Sequence, residues 1–238
     1  MQIDIRKIPV YFINLNTEEQ RRKQTEQVLF SLGFESITRI PGEVHTDPKV
    51  GCALSHYKVL SNKNIKTPFI LLEDDIVYNN SQKFIYDIPD NVDSLYIGAS
   101  QWARYLNFSG PYLQYKRITN EIVRIFNMLT AHGVIHFNDG YREHLSRIAY
   151  HASHEEFYHM DVGYAETQKY YNVYALDLPF FAQMGYNYPV TSKRISEMGM
   201  DYEESKLDFE TSKWNLMRLA GIPDLKGSGG YYDPRWWH

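Results

Sequence analysis

The run Phe69-Ile-Leu-Leu72 passes directly into Glu73-Asp74-Asp75, and this junction constrains the fold more than any other stretch of the chain. Four consecutive apolar residues offer no polar face to water, so they predict a strand covered on both sides, as in the centre of a parallel α/β sheet. The three carboxylates that follow then lie at the carboxyl edge of that sheet, where open α/β folds bind ligands. The preceding sequence agrees. Ile8-Pro-Val-Tyr-Phe-Ile-Asn-Leu15 predicts a first buried strand beginning near Pro9. Thr17-Glu-Glu-Gln20 has capping-box spacing, and Thr25, Val28, Leu29 and Leu32 form a helical stripe that Gly33 stops. Residues 36–40 predict a second strand. After the Pro41-Gly42 break, residues 51–61 predict a helix with Ala53, Leu54, Tyr57 and Leu60 inward, and Pro68 ends that unit. Ser94-Leu-Tyr-Ile97 before Gly98 repeats the strand-to-loop pattern. The expected class is α/β, a mostly parallel sheet flanked by helices.

Beyond Gly98 the pattern predicts strands near 122–129 and 170–176 and helices over 138–147 and 202–220. The segment from Trp102 to Tyr115 is rich in aromatics. Gly227-Ser-Gly-Gly230 reads as a hinge before an aromatic tail, giving one domain over 1–226 and a flexible tail over 227–238. Composition narrows the function. With 25 Lys and Arg against 29 Asp and Glu, a formal charge of −4, the chain lacks the basic footprint of a nucleic-acid binder. The single cysteine, Cys52, excludes an internal disulfide and any site of several thiolates, and favours the cytoplasm. No stretch approaches the ~18 to 20 apolar residues needed to span a bilayer, so a protein without a transmembrane segment is expected.

If the backbone stays extended through the acidic triplet, Glu73 and Asp75 point to one side and Asp74 to the other. Two converging carboxylates suit a hard divalent cation such as Mn2+ or Mg2+, whose other positions go to water and a diphosphate. A solvated acidic turn is an equal alternative from the local pattern alone.

Ile13-Asn14-Leu15 followed by Arg21-Arg22, then Gly51-Cys-Ala-Leu-Ser-His56, then Leu71-Leu-Glu-Asp-Asp75 occur in one order, and together they resemble glycosyltransferase family 25. That family includes bacterial lipooligosaccharide galactosyltransferases and collagen galactosyltransferase-like proteins. The similarity continues through Leu129-Thr-Ala-His-Gly-Val-Ile135, Met160-Asp161, Leu178-Pro179, Gln183 and Ser192, so it covers residues 8–192. It implies a GT-A type fold, in which a short acidic motif holds a metal against a sugar nucleotide. Asp75 would be the direct metal ligand and Glu73 a second ligand or a neighbour of the ribose, with Asp74 beside the donor. Asn14 and the backbone at Leu15 would meet the base or ribose, and Arg21 or Arg22 would approach phosphate; pairing with Glu18 or Glu26 at helical spacing is the plainer reading of the arginines. Ser55 and His56, at a helix entry, would support the donor, against the alternative of a capping or core histidine. Asp161 matches the family's late aspartate and would take the proton from an acceptor hydroxyl, while an N-cap is the competing role.

His151, His154 and His159 form the densest histidine group, but His154 and His159 are five apart and share no helix face as H-E-x-x-H does, which disfavours a zinc protease. Trp102, Tyr105 and Tyr112 are the aromatics suited to an acceptor sugar. The expected activity is a metal-dependent inverting hexosyl transfer from a nucleoside diphosphate sugar, UDP-sugar first, to a glycan or other hydroxyl acceptor. The alternatives are a glycosyltransferase of modified nucleic-acid bases and a catalytically inactive glycan- or protein-binding module.

Overall fold

A computed structural model describes residues 1–80, 83–105, 108–110, 113–154, 159–184 and 193–202. Nine strands form the central sheet: β1 (Val10–Asn14), β2 (Ile37–Pro41), β3 (Phe69–Glu73), β4 (Ser94–Tyr96), β5 (Gln114–Arg117), β6 (Ile122–Ile125), β7 (Gly133–His136), β8 (Val173–Leu176) and β9 (Met200–Asp201). Their order is β9-β5-β6-β8-β4-β7-β3-β1-β2. The junctions β9–β5, β8–β4, β3–β1 and β1–β2 are parallel and the other four antiparallel, so β6 and β7 alone run against the remaining strands. The α/β architecture expected from the sequence is present, with a sheet whose strands mostly share one direction.

Among the described residues, four helices of two or more turns cover the sheet, α1 (Glu19–Ser31), α2 (Pro48–Leu60), α3 (Asp139–Ala152) and α4 (Met160–Thr167), and a single turn follows at Ile195–Met198. The apolar run of β3 is buried throughout because its side chains alternate between two cores. Phe69 and Leu71 pack with Ala53, Val59 and Leu60 of α2 and with Tyr141 and Leu145 of α3. Ile70 and Leu72 pack on the opposite face with Leu29 of α1, Phe12 and Phe181. Full burial of each such side chain is worth ~1.5–3 kcal/mol, which fixes β3 in the middle of the sheet.

Local signals set the helix ends. Asp47 caps α2, its carboxylate accepting from Lys49 N at 2.9 Å, with Pro48 in the first turn. Asn138 caps α3 by accepting from Tyr141 N at 3.0 Å. Gly33, at φ +78°, terminates α1 in the left-handed region as expected. The capping box at Thr17 is not formed: α1 starts at Glu19, and Glu18 stands at the cap without a side-chain hydrogen bond. Glu18 N bonds to Leu15 O, and Asn14 Nδ2 donates to Glu18 O, so a turn carries the chain past Thr17 before the helix begins. In α2 the inward residues are Ala53, Ser55, His56, Val59 and Leu60, whereas Leu54 and Tyr57 are half-buried. The strand expected over 122–129 ends at Ile125, and only Met128 rejoins extended pairing, with Ala103. Apart from Tyr202, the helix expected over 202–220 lies outside the described residues, as do the tail, Tyr112 and Ser192. Among the described residues no helix is long and apolar enough to cross a membrane.

Candidate active site

The chain leaves β1 through α1 to the outer strand β2, then returns through α2 to β3 on the other side of β1. With α1 on one face and α2 on the other, the carboxyl ends of β1 and β3 flank a crevice at the point where strand order reverses, the place where doubly wound sheets bind ligands. A cavity of about 310 Å³ occupies it, lined by Asn14 and Leu15, by Glu73, Asp74 and Asp75, and by Cys52, Ser55 and His56 from the start of α2. Its outer wall is the loop carrying Val44 and His45. That loop approaches α2 so closely that a Cβ on Gly51 would stand 2.8 Å from Glu43 O. Ser55 Oγ accepts from Glu43 N at 2.8 Å and donates to Gly51 O at 2.7 Å, so this hydroxyl pins the wall.

The side chains of the acidic triplet take three different sets of partners. The strand ends at Glu73 and the next two residues form a turn. Asp74 is tied into the protein: Asn14 Nδ2 donates to its Oδ2 at 2.6 Å, Arg21 reaches its Oδ1 at 3.4 Å, and Thr25 Oγ1 donates to its carbonyl at 3.1 Å. Asn14 is 1% exposed, and its amide oxygen accepts from Arg39 Nε at 2.8 Å. The side chains of Asn14 and Asp74 therefore act as struts that hold the turn, and the Asn14 carbonyl is itself taken by Gly42 N at 3.0 Å and Arg39 Nη2 at 3.1 Å. Arg22 pairs at 4.0 Å with Glu19 and Glu26 along its own helix, whereas Arg21 joins the site.

Glu73 Oε1 accepts from His56 Nε2 at 3.1 Å and lies 3.9 Å from Cys52 Sγ. Burial is the largest influence on Glu73 and works against its ionisation, but the hydrogen bond from His56, the electrostatic influence of His56 and His132 and the contact with Cys52 together hold the carboxyl below its usual value. Asp75 differs. Its Oδ2 accepts from Gln183 Nε2 at 2.9 Å, but its Oδ1 is buried and makes no hydrogen bond with the described residues. Burial, followed by the nearby charge of Glu73, pushes Asp75 up to about 7. An uncompensated carboxylate oxygen beside a second carboxylate is relieved by a cation, so these residues fit a hard divalent ion.

Beyond Glu73 a second lobe of about 220 Å³ opens, lined by Thr130, His159, Asp161 and Gln183 and sharing Cys52 and Glu73 with the first. Asp161 lies in the first turn of α4, and His159 occupies the cap position, so the N-cap role falls to another residue. Burial raises the Asp161 carboxyl above its ordinary value. The histidine group disperses: His151 lines a groove between α2 and α3, His154 bonds to Tyr150 O at the end of α3, and His159 faces the second lobe. Trp102 lines neither lobe, and the Tyr105 side chain lies outside the described residues.

His132, from the segment quoted for the family resemblance, sits behind this edge. Its carbonyl accepts from Glu73 N at 3.1 Å, and its Nδ1 shares a hydrogen bond with Thr130 Oγ1. The ring lies so close to Gly98 that any Cβ there would strike it, which accounts for glycine at the end of β4. Cys52, Thr130 and Arg39 join or support the site without having been named as site residues from the sequence. The spacing of Cys52 and His56, one helical turn apart, was a readable signal for the first; nothing local marks Arg39.

No known protein family is matched by the sequence, and no curated protein matches it. Among solved structures, a glycosyltransferase involved in the glycosylation of the major capsid of PBCV-1 is similar at 9% identity and TM-score 0.41, over 84% of this chain and 83% of that one. A nucleoside-diphosphate-sugar pyrophosphorylase from Vibrio cholerae RC9 is similar at 12% identity and TM-score 0.40, over 72% and 73% of the two chains. Likeness at this level carries no information about activity.

Proposed function

We propose that the chain is an inverting glycosyltransferase of the family 25 type that transfers a hexose from a nucleoside diphosphate sugar, UDP-sugar first, to a hydroxyl acceptor. The observation that carries the reading is the orphaned Asp75 Oδ1 in the wall of the lobe between β1 and β3, which adjoins a second lobe holding Asp161. The first lobe suits a nucleotide. The strand end at Asn14 and Leu15 lines the part that takes the base or ribose, and the struts Asn14–Asp74 and His56–Glu73 fix the edge on which the diphosphate rests. Asp75, with Glu73 beside it, would hold Mn2+ or Mg2+, which when bound stabilises negative charge on the departing diphosphate.

The second lobe receives the acceptor. Asp161 accepts the proton of the acceptor hydroxyl as the oxygen attacks the anomeric carbon from the side opposite the leaving nucleoside diphosphate, which inverts that centre. A carboxyl whose basicity is raised by burial is better matched to this transfer than an ordinary aspartate. Holding donor and acceptor in adjoining lobes makes the attack effectively unimolecular. The test needs no known acceptor: with UDP-, GDP-, CDP- and dTDP-hexoses, slow nucleoside diphosphate release to water is expected for one donor and only with divalent metal. Absence of metal-dependent release from all four overturns the reading.

A further inference from the structure

Cys52 and His56 stand four residues apart on α2, so their side chains project one above the other on one face of the helix. Glu73, at the end of β3, meets that face. The sulfur, a ring nitrogen and a carboxylate oxygen of the three residues all lie within 4.8 Å of one another. Two of the three pairs are already near the edges of a coordination tetrahedron, and the third, sulfur to nitrogen, lies within 4.8 Å. Bond lengths of about 2.3 Å to sulfur, 2.05 Å to nitrogen and 2.1 Å to oxygen place tetrahedral S–O and N–O edges at about 3.6 and 3.4 Å. The observed separations are 3.9 Å for Cys52 Sγ to Glu73 Oε1 and 3.1 Å for His56 Nε2 to the same oxygen. Shifts of a few tenths of an ångström close both.

We propose that Cys52, His56 and Glu73 form a second cation site, sharing Glu73 with the Asp75 site, that takes a borderline ion such as Zn2+ through one sulfur, one nitrogen and one oxygen and leaves a fourth position open to the cleft. The donor set decides the ion. Thiolate and imidazole suit Zn2+ and Co2+, whereas Mg2+ and Mn2+ prefer the all-oxygen surroundings of Asp75. Binding balances as one proton released: the Cys52 thiol gives its proton to solvent, the His56 proton passes from Nε2, where it meets Glu73, to Nδ1 so that Nε2 ligates, and Glu73 exchanges its hydrogen bond from His56 for the ion. Because Glu73 would serve both ions, Zn2+ and the hard cation compete.

The inference does not depend on glycosyl transfer, and its test has an optical readout. The sequence contains one cysteine, so any thiolate-to-cobalt charge-transfer band can arise only from Cys52. Titrating the reduced, metal-free protein with Co2+ is expected to give that band, saturating at one equivalent and bleached by Zn2+. Zn2+ affinity, measured against a chromophoric chelator, is expected to fall at least tenfold in Cys52→Ser and in Glu73→Gln, while Asp75→Asn keeps the band. The proposal is overturned if wild type gives no band, if Glu73→Gln binds Zn2+ as tightly as wild type, or if Asp75→Asn abolishes the band. The wild-type spectrum requires no variant, so it can refute the proposal even where a substitution unfolds the chain.

Discussion

Asp75→Asn is expected to stabilise the metal-free protein, and to do so only where the wild-type carboxyl would be ionised. Asp75 stands at about 7 in the fold, against an ordinary value of 3.8. The folded state therefore binds more protons than the unfolded chain between these values, and the stability contributed by this group falls as pH rises through that window. About 3 pKa units at 1.36 kcal/mol each set an upper bound of about 4 kcal/mol. Partial solvent access and the coupling to Glu73 reduce the expected effect to about 2 kcal/mol. Asparagine keeps an oxygen for Gln183 Nε2 and removes the charge that lacks a partner. Urea unfolding with chelator present should show variant and wild type nearly equal at pH 4, with the variant about 2 kcal/mol more stable at pH 8. Saturating Mn2+ should close the gap at pH 8 by stabilising wild type alone. A difference that stays constant from pH 4 to 8, or a wild type more stable than the variant at pH 8 without metal, would refute the argument.

Asp161→Asn is expected to lower transfer by a factor of about 10² to 10⁴ with donor affinity unchanged, as measured by initial rates and calorimetry. In wild type the rate should rise with pH through a midpoint above the ordinary aspartate value, because burial raises Asp161 and the base works only when ionised; a flat profile contradicts this role. Gly98→Ala should cost about 1–3 kcal/mol in chemical denaturation, since the His132 ring must move from a packed position. Asn14→Ala should cost about 1–3 kcal/mol by leaving Asp74 and Arg39 without their shared partner, and should weaken donor binding through the loosened turn.

The layered fold was legible where apolar runs and end signals coincided. Phe69 to Leu72 announced a strand buried on both faces, and Asn138 and Gly33 mark helix ends that the structure places within a residue or two of expectation. Thr17 misled because its capping pattern is local, while the turn from Leu15 to Glu18 is held by Asn14, a residue committed also to Asp74, sixty positions away. The same long-range bonding explains the site. The sequence brings Glu73, Asp74 and Asp75 to one strand end, but which of them is tied down depends on Arg21, His56 and Gln183, each from a different segment. Period and composition carry no record of such pairings, so Asp74 as a strut and Asp75 as the uncompensated carboxylate emerge only in three dimensions. Val59 replaced Leu54 and Tyr57 among the most buried positions of α2 because that helix packs against both the sheet and α3, which turns its buried stripe.

The central claim is that Asp75 supports nucleotide-sugar binding through a divalent cation. Calorimetric titration of UDP-hexose into wild type and Asp75→Ala, each with Mn2+ and with chelator, tests it most directly. The account predicts saturable binding by wild type with Mn2+, binding at least tenfold weaker with chelator, and no gain from Mn2+ in a folded Asp75→Ala. Undiminished Mn2+-dependent binding by Asp75→Ala would contradict it.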